Sequence, residues 1–360
     1  MFTAADHGFM EQALELAGRG LYTTTPNPRV GCVIVKGGVL VGSGWHEKAG
    51  LPHAEVLALK EAGDRARGAA LYVNLEPCSH HGRTPPCVDA IVASGIKRVV
   101  AAMQDPNPKV AGSGFAKLRT AGITVEHGLK EDEARELNIG FVSRMTRGRP
   151  WMRMKIAASL DGRTALANGK SQWITGEAAR KDGHRWRARA CAVLTGFGTV
   201  RDDDPQLNVR GVDTPRQPLK IVVDSKFETS PSARLLKEGK TLVVGAVNDA
   251  KRIASLKNAG AEVVIIPNDG GKVELFKLME ELARRELNEI HVEAGTKLNG
   301  SLLQAGVVDE LLVYLAPSVI GDSGRGMFHL PEITELSQAS ALKIREAERI
   351  GTDLRILARI

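Results

Sequence analysis

His53-Ala54-Glu55, then Glu76-Pro77-Cys78, then Cys87 is the stretch that decides the reading of the first half of this 360-residue chain. One imidazole and two thiols are ligands that zinc takes, and a catalytic zinc site keeps its fourth position open for water, whose pKa falls to about 7. Glu55 sits two residues after the histidine, where a carboxylate shuttles protons instead of ligating; these are the parts that hydrolytic deamination of a ring amine requires. The usual second spacing is Cys-x-x-Cys. Here Ser79 to Pro86 separate the thiols, which leaves His80 or His81 as competing third ligands. Cys87 is favoured because Pro85-Pro86 ahead of Cys87-Val88-Asp89-Ala90-Ile91-Val92 reads as a helix start, where a thiolate is stabilised by exposed N–H groups and the dipole. Any one of these residues alone reads as an ordinary buried thiol or a surface imidazole. Together, His53 opens a helical run to Ala62 and Cys78 follows the strand-like Ala70–Leu75, so the ligand segments fall at element ends, where sites collect.

The length suits about two domains, and 43% hydrophobic with 25% charged residues is ordinary for a globular protein. Four cysteines, two claimed by the zinc reading, make no disulfide framework and fit a reducing cytoplasm. The first twenty residues read as an amphipathic helix with Phe9, Met10, Ala13, Leu14 and Ala17 on one side. Asp6, Glu11 and Glu15 make it a poor signal peptide, and no apolar run approaches a membrane span. A net charge of +7 is spread along the chain, and aromatic residues are only 4%. That combination argues against an extended base-stacking surface and for phosphate-bearing small ligands.

Strands are expected at Val30–Val35, Val39–Gly44, Ala70–Leu75, Arg98–Met103 and Thr124–His127, the first two joined as a hairpin by Lys36-Gly37-Gly38. Helices are expected from near His53, Pro86 and Gly112, and one closing helix from Glu131 to Met145. The Gly/Pro-containing run Thr146–Pro150 marks the boundary between domains at 1–147 and 148–360. The second half repeats the α/β alternation. Its expected strands are Trp151–Ala157, Ala192–Thr195, Lys220–Asp224, Thr241–Gly245, Glu262–Pro267, Glu289–Glu293, Glu310–Ala316 and Leu354–Ile360. Helices are expected at Glu177–Arg189, Lys251–Ala259 and Lys272–Glu286.

In the second half, Ile290–Ser301 reads as a strand, a Gly-bounded loop and a short helix, a junction whose N–H groups suit a phosphate or pyrophosphate. It is not Gly-x-Gly-x-x-Gly, so a standard dinucleotide fingerprint is absent. Lys155–Thr164, Ser171–Thr175 and Gly196–Arg210 read as polar irregular segments. Asp202, Asp203 and Asp204 are read as solvated or capping residues, one of them meeting a polar ligand.

Taken together, these stretches resemble the bifunctional bacterial riboflavin-biosynthesis deaminase–reductases over essentially the whole chain. The matching runs are Pro26–Gly31, His53–Glu55, Glu76–Cys87, Ser159–Gly162, Gln172–Thr175, Asp203–Pro205 and Val292–Gly295, and the long Cys-to-Cys insert is characteristic of that family. The resemblance implies an N-terminal cytidine-deaminase-like three-layer domain and a C-terminal dihydrofolate-reductase-like domain. It implies deamination of 2,5-diamino-6-ribosylamino-4(3H)-pyrimidinone 5′-phosphate, then NADPH-dependent reduction of the ribosyl to the ribityl chain. Carried over residue by residue, the Zn2+ ligands are His53, Cys78 and Cys87, with Glu55 catalytic. NADPH contacts fall on Ala157, Trp173, Thr199, Asp203, Ser225 and Gly295, Thr296, Lys297, Leu298, Asn299, Gly300 and Ser301. Substrate contacts fall on Ser171, Arg187, Leu207, Arg210 and Glu293. A homo-oligomer is expected, with no nucleic-acid or membrane partner and a cytoplasmic location.

Arg187 and Arg210 suit a substrate phosphate because a guanidinium donates two parallel hydrogen bonds; Glu293 reads equally as a strand-end salt-bridge partner and Trp173 as a core residue. No cation that would select NADPH over NADH stands out. One competing reading is a tRNA-type nucleic-acid deaminase fused to an unrelated α/β domain. Another is a structural zinc module with His80 or His81 as fourth ligand, in which Glu55 would have no use.

Overall fold

Gly37 and Gly38 both take positive φ, 58° and 81°, the turn geometry whose twist matches two antiparallel strands. They join β1 (Gly31–Lys36) to β2 (Val39–Trp45), as the sequence leads one to expect. The computed structural model describes residues 1–80, 85–108 and 110–360 and divides into two compact units, Met1–Gly148 and Arg149–Ile360.

In the first unit β3 (Ala70–Leu75), β4 (Arg98–Met103) and β5 (Thr124–His127) complete a sheet of order β2-β1-β3-β4-β5, with β3, β4 and β5 parallel. Side chains alternate between two cores, as the period of a strand requires. On one face Val33, Tyr72 and Val100 pack with Met10 and Ala13 of α1 (Ala4–Gly18) and with Ala134 and Phe141. On the other, Cys32, Leu71, Val73 and Val99 pack with α2 (Ala54–Ala62), α3 (Cys87–Ser94) and α4 (Ser113–Thr120). The result is three layers. α2 lies almost backbone to backbone on β2: a Cβ on Gly42 would stand 2.3 Å from the Ala58 carbonyl, and one on Gly44 2.5 Å from that of Ala54. Those two glycines set how deep the helix carrying Glu55 sits.

The closing helix is two, α5 (Glu131–Leu137) and α6 (Ile139–Arg147), not one running Glu131 to Met145. They break at Asn138, whose side chain accepts from the Arg29 N–H (2.8 Å) and donates to the Arg29 carbonyl (3.0 Å). An asparagine that pairs with distant backbone in this way competes with helix continuation.

The second unit has β6 (Trp151–Ser159), β7 (Arg163–Ala165), β8 (Ala192–Gly196), β9 (Leu219–Val223), β10 (Thr241–Gly245), β11 (Glu262–Ile265), β12 (Glu289–Val292), β13 (Glu310–Ala316), β14 (Arg325–Gly326), β15 (Lys343–Ile350) and β16 (Asp353–Arg359). Nine form one sheet, β11-β10-β9-β8-β12-β6-β13-β16-β15, and β14 pairs with β7 apart from it. Leu278, Met279 and Leu282 of α10 (Leu275–Arg284) and Leu302 of α11 (Thr296–Gln304) fill one face. α7 (Glu177–Arg189), α8 (Phe197–Asp203) and α9 (Ala250–Asn258) cover the other.

Three sequence expectations are corrected, the first being that Lys155–Thr164 is irregular, since β6 runs on to Ser159 and β7 begins at Arg163. Gly196–Arg210 is not wholly irregular, since α8 begins directly after Gly196. The Gly295–Ser301 segment is the first part of α11 and no loop. Both glycines are extended N-caps (φ −105°, ψ 159° and φ −78°, ψ 167°), so they start helices where their composition suggests turns. Strand β15, Lys-Ile-Arg-Glu-Ala-Glu-Arg-Ile, carries no sequence signal because it is a solvent-exposed edge strand with no buried face to impose alternation.

Candidate active sites

His53 is the N-cap of α2, with extended backbone, and Glu55 is the second residue of that helix. Cys78 follows β3 through Pro77, and Cys87 is the first residue of α3. The fold brings their donors together: His53 Nδ1 lies 3.2 Å from Cys87 Sγ and 3.5 Å from Cys78 Sγ. Zinc–ligand bonds of about 2.0–2.3 Å in a tetrahedron give nitrogen–sulfur edges of about 3.5 Å, so the three donors already stand at the separations a zinc ion requires. Among the described residues no fourth His, Cys, Asp or Glu donor joins the group, and His80 is outside it. His81 lies outside the described residues.

The electrostatics fit the same ion. Hydrogen bonds from the Cys87 side chain, from His53 and from the Cys87 backbone N–H bring Cys78 down to about 4. The neighbouring Cys78, burial and Glu55 push Cys87 up. Burial and the charge on Cys78 raise Glu55 to about 7. Two thiolates and a carboxylate cannot all ionise in a buried space unless a cation stands among them. The donor set therefore fits zinc.

The structure gives roles to residues that the motif names without a role or does not contain. Glu76, 3% exposed, accepts four backbone N–H bonds: from Asp105 (3.1 Å) and Gly112 (3.0 Å) on one oxygen, and from Gly114 (2.8 Å) and Phe115 (3.1 Å) on the other. It caps α4 while standing two residues before Cys78. The Lys117 ammonium on the Ser79 carbonyl (2.6 Å) adds a second tie. Asp105, pushed up to about 6 by burial, is held on this clamp. His46 meets Asn27 (3.0 Å) and the Pro52 carbonyl (3.2 Å) and packs edge-on to His53. The available signal was an acid placed between a buried strand and Pro-Cys. Glu76→Gln turns an NH2 toward two N–H donors, and each buried donor left unmet costs about 1–3 kcal/mol. Bound zinc is then expected to exchange into a chelator at least about tenfold faster, while the melting of the second unit stays unchanged.

In the second unit, neighbouring parallel strands β8 and β12 send their chains to opposite faces, β8 into α8 and β12 into α11. Such a divergence opens a crevice at the carboxyl ends of the strands, where α/β sheets bind ligands. β12 ends opposite Met154, whereas β6 runs on to Ser159, so Ala157 lies beyond the end of its neighbour. Thr199 in α8 and Gly295 capping α11 face each other: a Cβ on Gly295 would stand 3.8 Å from Thr199 Oγ1. The first-turn N–H groups of α11, from Thr296, Lys297 and Leu298, have no partners within their own helix and suit phosphate oxygens. Two buried polar atoms near this edge, Thr195 Oγ1 and Asn299 Oδ1, also lack a hydrogen bond among the described residues. These features fit the pyrophosphate of a dinucleotide.

Other expected contacts have different surroundings. Gly300 allows close packing, since a Cβ there would stand 1.9 Å from the His329 carbonyl; Asn299 Nδ2 bonds the Met327 carbonyl (3.2 Å) and Ser301 bonds Lys297 within α11. Ser225 Oγ accepts from the Val273 N–H (3.4 Å), and burial pushes Asp203 up. Ser171 and Trp173 lie between β7 and α7, Trp173 68% exposed and stacked on Arg180 at 4.7 Å. Exposure on this scale corrects the core reading of Trp173.

Arg187 and Glu293 meet each other. Arg187 forms two parallel bonds to the Glu293 carboxylate, Nη2 at 2.8 Å, and its Nη1 bonds the Asn208 carbonyl (2.8 Å). The fork that the sequence suggested for a phosphate is thus taken by a carboxylate, because a half-buried charge needs a partner. Arg210 is exposed and, among the described residues, bonds Gln206 through its side chain and His184 Nδ1 through its backbone. Burial and the two arginines bring His184 down to about 4, which keeps that nitrogen an acceptor. Leu207 is buried beside it with φ 55°. Lys155 faces Glu293 and Arg187, and burial pulls it down.

Residues 3–103 match the cytidine and deoxycytidylate deaminase zinc-binding region, and residues 150–356 match the RibD C-terminal domain. The chain is 48% identical to the riboflavin biosynthesis protein RibD of Escherichia coli, over 97% of this chain and 98% of that protein. It superposes on Acinetobacter baumannii RibD with a TM-score of 0.92 at 43% identity, covering 99% and 98% of the two chains. A Thermotoga maritima protein described as a diaminohydroxyphosphoribosylaminopyrimidine deaminase/5-amino-6-(5-phosphoribosylamino)uracil reductase matches with a TM-score of 0.88 at 33% identity, over 99% and 98%. A zinc-type donor cluster in one unit, a dinucleotide-type crevice in the other and likeness along the whole length lead to one conclusion: this chain belongs to the RibD family of riboflavin biosynthesis proteins.

Proposed function

We propose that this chain is a two-activity enzyme of riboflavin biosynthesis. The first unit deaminates 2,5-diamino-6-ribosylamino-4(3H)-pyrimidinone 5′-phosphate, and the second reduces the ribosyl chain of the product with NADPH. The observation that carries the reading is the meeting of His53 Nδ1, Cys78 Sγ and Cys87 Sγ within 4.8 Å of one another, beside a buried Glu55. Zinc, when bound, supplies Lewis-acid activation of a water. Glu55 would carry two protons in turn, the first from that water to the ring nitrogen and the second from the added hydroxyl to the departing ammonia.

In the second unit the first turns of α8 and α11 hold the cofactor's phosphates, and Gly295 leaves room for them. NADPH, when bound, supplies the hydride. Arg210 offers the substrate phosphate a guanidinium with spare donors, while Arg187 and Glu293 form a fixed polar wall. The proposed location is the cytoplasm. No helix among the described residues is long and apolar enough to cross a membrane. A homo-oligomer is supported by the exposed edge strand β15. The whole-length likeness to RibD proteins disfavours a nucleic-acid deaminase carrying an unrelated second domain.

The test follows ammonia release and NADPH oxidation in parallel on the diaminopyrimidine ribotide, with and without a zinc chelator. The expected result is ammonia release that chelation stops, with NADPH consumed only after deamination. Zinc-loaded protein that releases no ammonia would overturn the reading of the first unit. Ammonia without NADPH oxidation would overturn that of the second.

A further inference from the structure

The dinucleotide reading leaves open what distinguishes a 2′-phosphorylated cofactor from its plain counterpart. The second unit holds a cavity of about 450 Å³ whose lining includes Phe197, Phe227, Glu228, Ser230, Arg252 and Ser255, a volume in the range of small-molecule sites. Every wall follows the carboxyl end of a strand. Phe197 opens α8 after β8, residues 227–231 follow β9, and Arg252 and Ser255 lie on α9 after β10. Since strands stand about 4.8 Å apart, the cavity lies one to two strand widths along the sheet edge from the β8/β12 crevice. That is where the adenosine half of a dinucleotide extends once its pyrophosphate occupies the crevice.

Arg252 is anchored at two points and keeps an unused edge. Its Nη1 donates to the Lys226 carbonyl (2.9 Å) and its Nε lies 3.4 Å from an Asp249 oxygen, while Nη2 makes no hydrogen bond among the described residues. Its side chain is 47% exposed, so this cation is fixed in direction but still reachable. The other charges here are Asp249, which meets Arg252 only through Nε at 3.4 Å in an exposed pair, Glu228 on the lining, and Arg201, which is paired with Asp202 and lies near Glu228. Arg201 is held by a close ion pair at 2.7 Å and Arg252 by a longer one at 3.4 Å, and Glu228 opposes an anion. A carboxylate receives a ribose 2′-hydroxyl, whereas an arginine accommodates a 2′-phosphate. Phe197 gives a purine an apolar wall, and the Ser255 hydroxyl is a further donor.

We infer that Arg252 is the residue that selects the 2′-phosphate of NADPH, with this cavity taking the adenosine end of the cofactor; the inference rests on the dinucleotide reading above. Glu228 lines the same space as the group that tolerates an unphosphorylated ribose. Selection thus depends on which of two opposed charges the ligand can satisfy.

The experiment is a fluorescence titration of the complete chain, without substrate, by NADPH, NADH and adenosine 2′,5′-bisphosphate. Wild type is expected to bind NADPH at least about tenfold more tightly than NADH, and the bisphosphate to displace NADPH. A charge-assisted contact of this kind is worth roughly 10- to 100-fold in affinity. Arg252→Ala is expected to lose that factor for NADPH and for the bisphosphate while NADH binding stays within about twofold, which also reports an intact site. Arg252→Lys, keeping the charge without the fork, should fall between the two. Equal weakening of NADPH and NADH, or no change in either, would overturn the role of Arg252 and leave the dinucleotide reading standing. Wild type that binds neither dinucleotide would overturn that reading and this inference together.

Discussion

Glu55→Gln is expected to stop ammonia release, with kcat down by at least about 10³-fold, while zinc content and NADPH oxidation on the deaminated ribotide remain at wild-type levels. General acid–base groups contribute about 10²–10⁴-fold, and the upper part of that range applies because one carboxyl makes several proton transfers. The amide is isosteric with the carboxyl it replaces, so the packing of α2 against Gly42 and Gly44 is undisturbed. Glu55 is buried, and replacing a buried ionisable group by a neutral amide of the same shape costs little stability. Zinc measured by mass spectrometry separates a chemical loss from loss of the metal. Deamination within tenfold of wild type would remove Glu55 from its proton-shuttle role.

Glu293→Ala is expected to cost the second unit about 3 kcal/mol and to abolish its NADPH oxidation. The substitution leaves Arg187, side chain 15% exposed, without its bidentate partner. Removing one member of a buried pair costs about 3–5 kcal/mol, since the remaining charge is uncompensated; partial exposure places this pair at the low end. Replacing both members by apolar residues, Arg187→Met with Glu293→Leu, is expected to restore most of the stability and none of the activity. Urea denaturation followed in the second unit, together with NADPH oxidation on the deaminated ribotide, reads the two effects separately. If the double variant regained activity, the pair would be scaffolding and no part of the site.

Much of this protein is legible in one dimension. The hairpin at Gly37-Gly38, the strand runs and the His53, Glu55, Cys78 and Cys87 set could be read because each rests on local chemistry: a turn needing positive φ, alternation against a core, a helix start that stabilises a thiolate. Helices α8 and α11 were harder to read, since an extended N-cap glycine looks the same in sequence as a turn glycine. Strand β15 was invisible because an edge with no buried face carries no periodicity.

Only the tertiary structure decided the rest, and the reason is common to all of it: the partners are far apart in the chain. Glu76 matters through N–H groups at Asp105, Gly112, Gly114 and Phe115. Arg187 is committed to Glu293, 106 residues away, so its charge could not be assigned between phosphate and carboxylate from sequence. Arg252 acquires meaning only where α9 meets the segment after β9. Residue type and spacing determined which chemistry the chain can perform. Folding determined which of the eligible charges are already satisfied and which are left for a ligand, because a buried charge takes the partner that the fold brings to it.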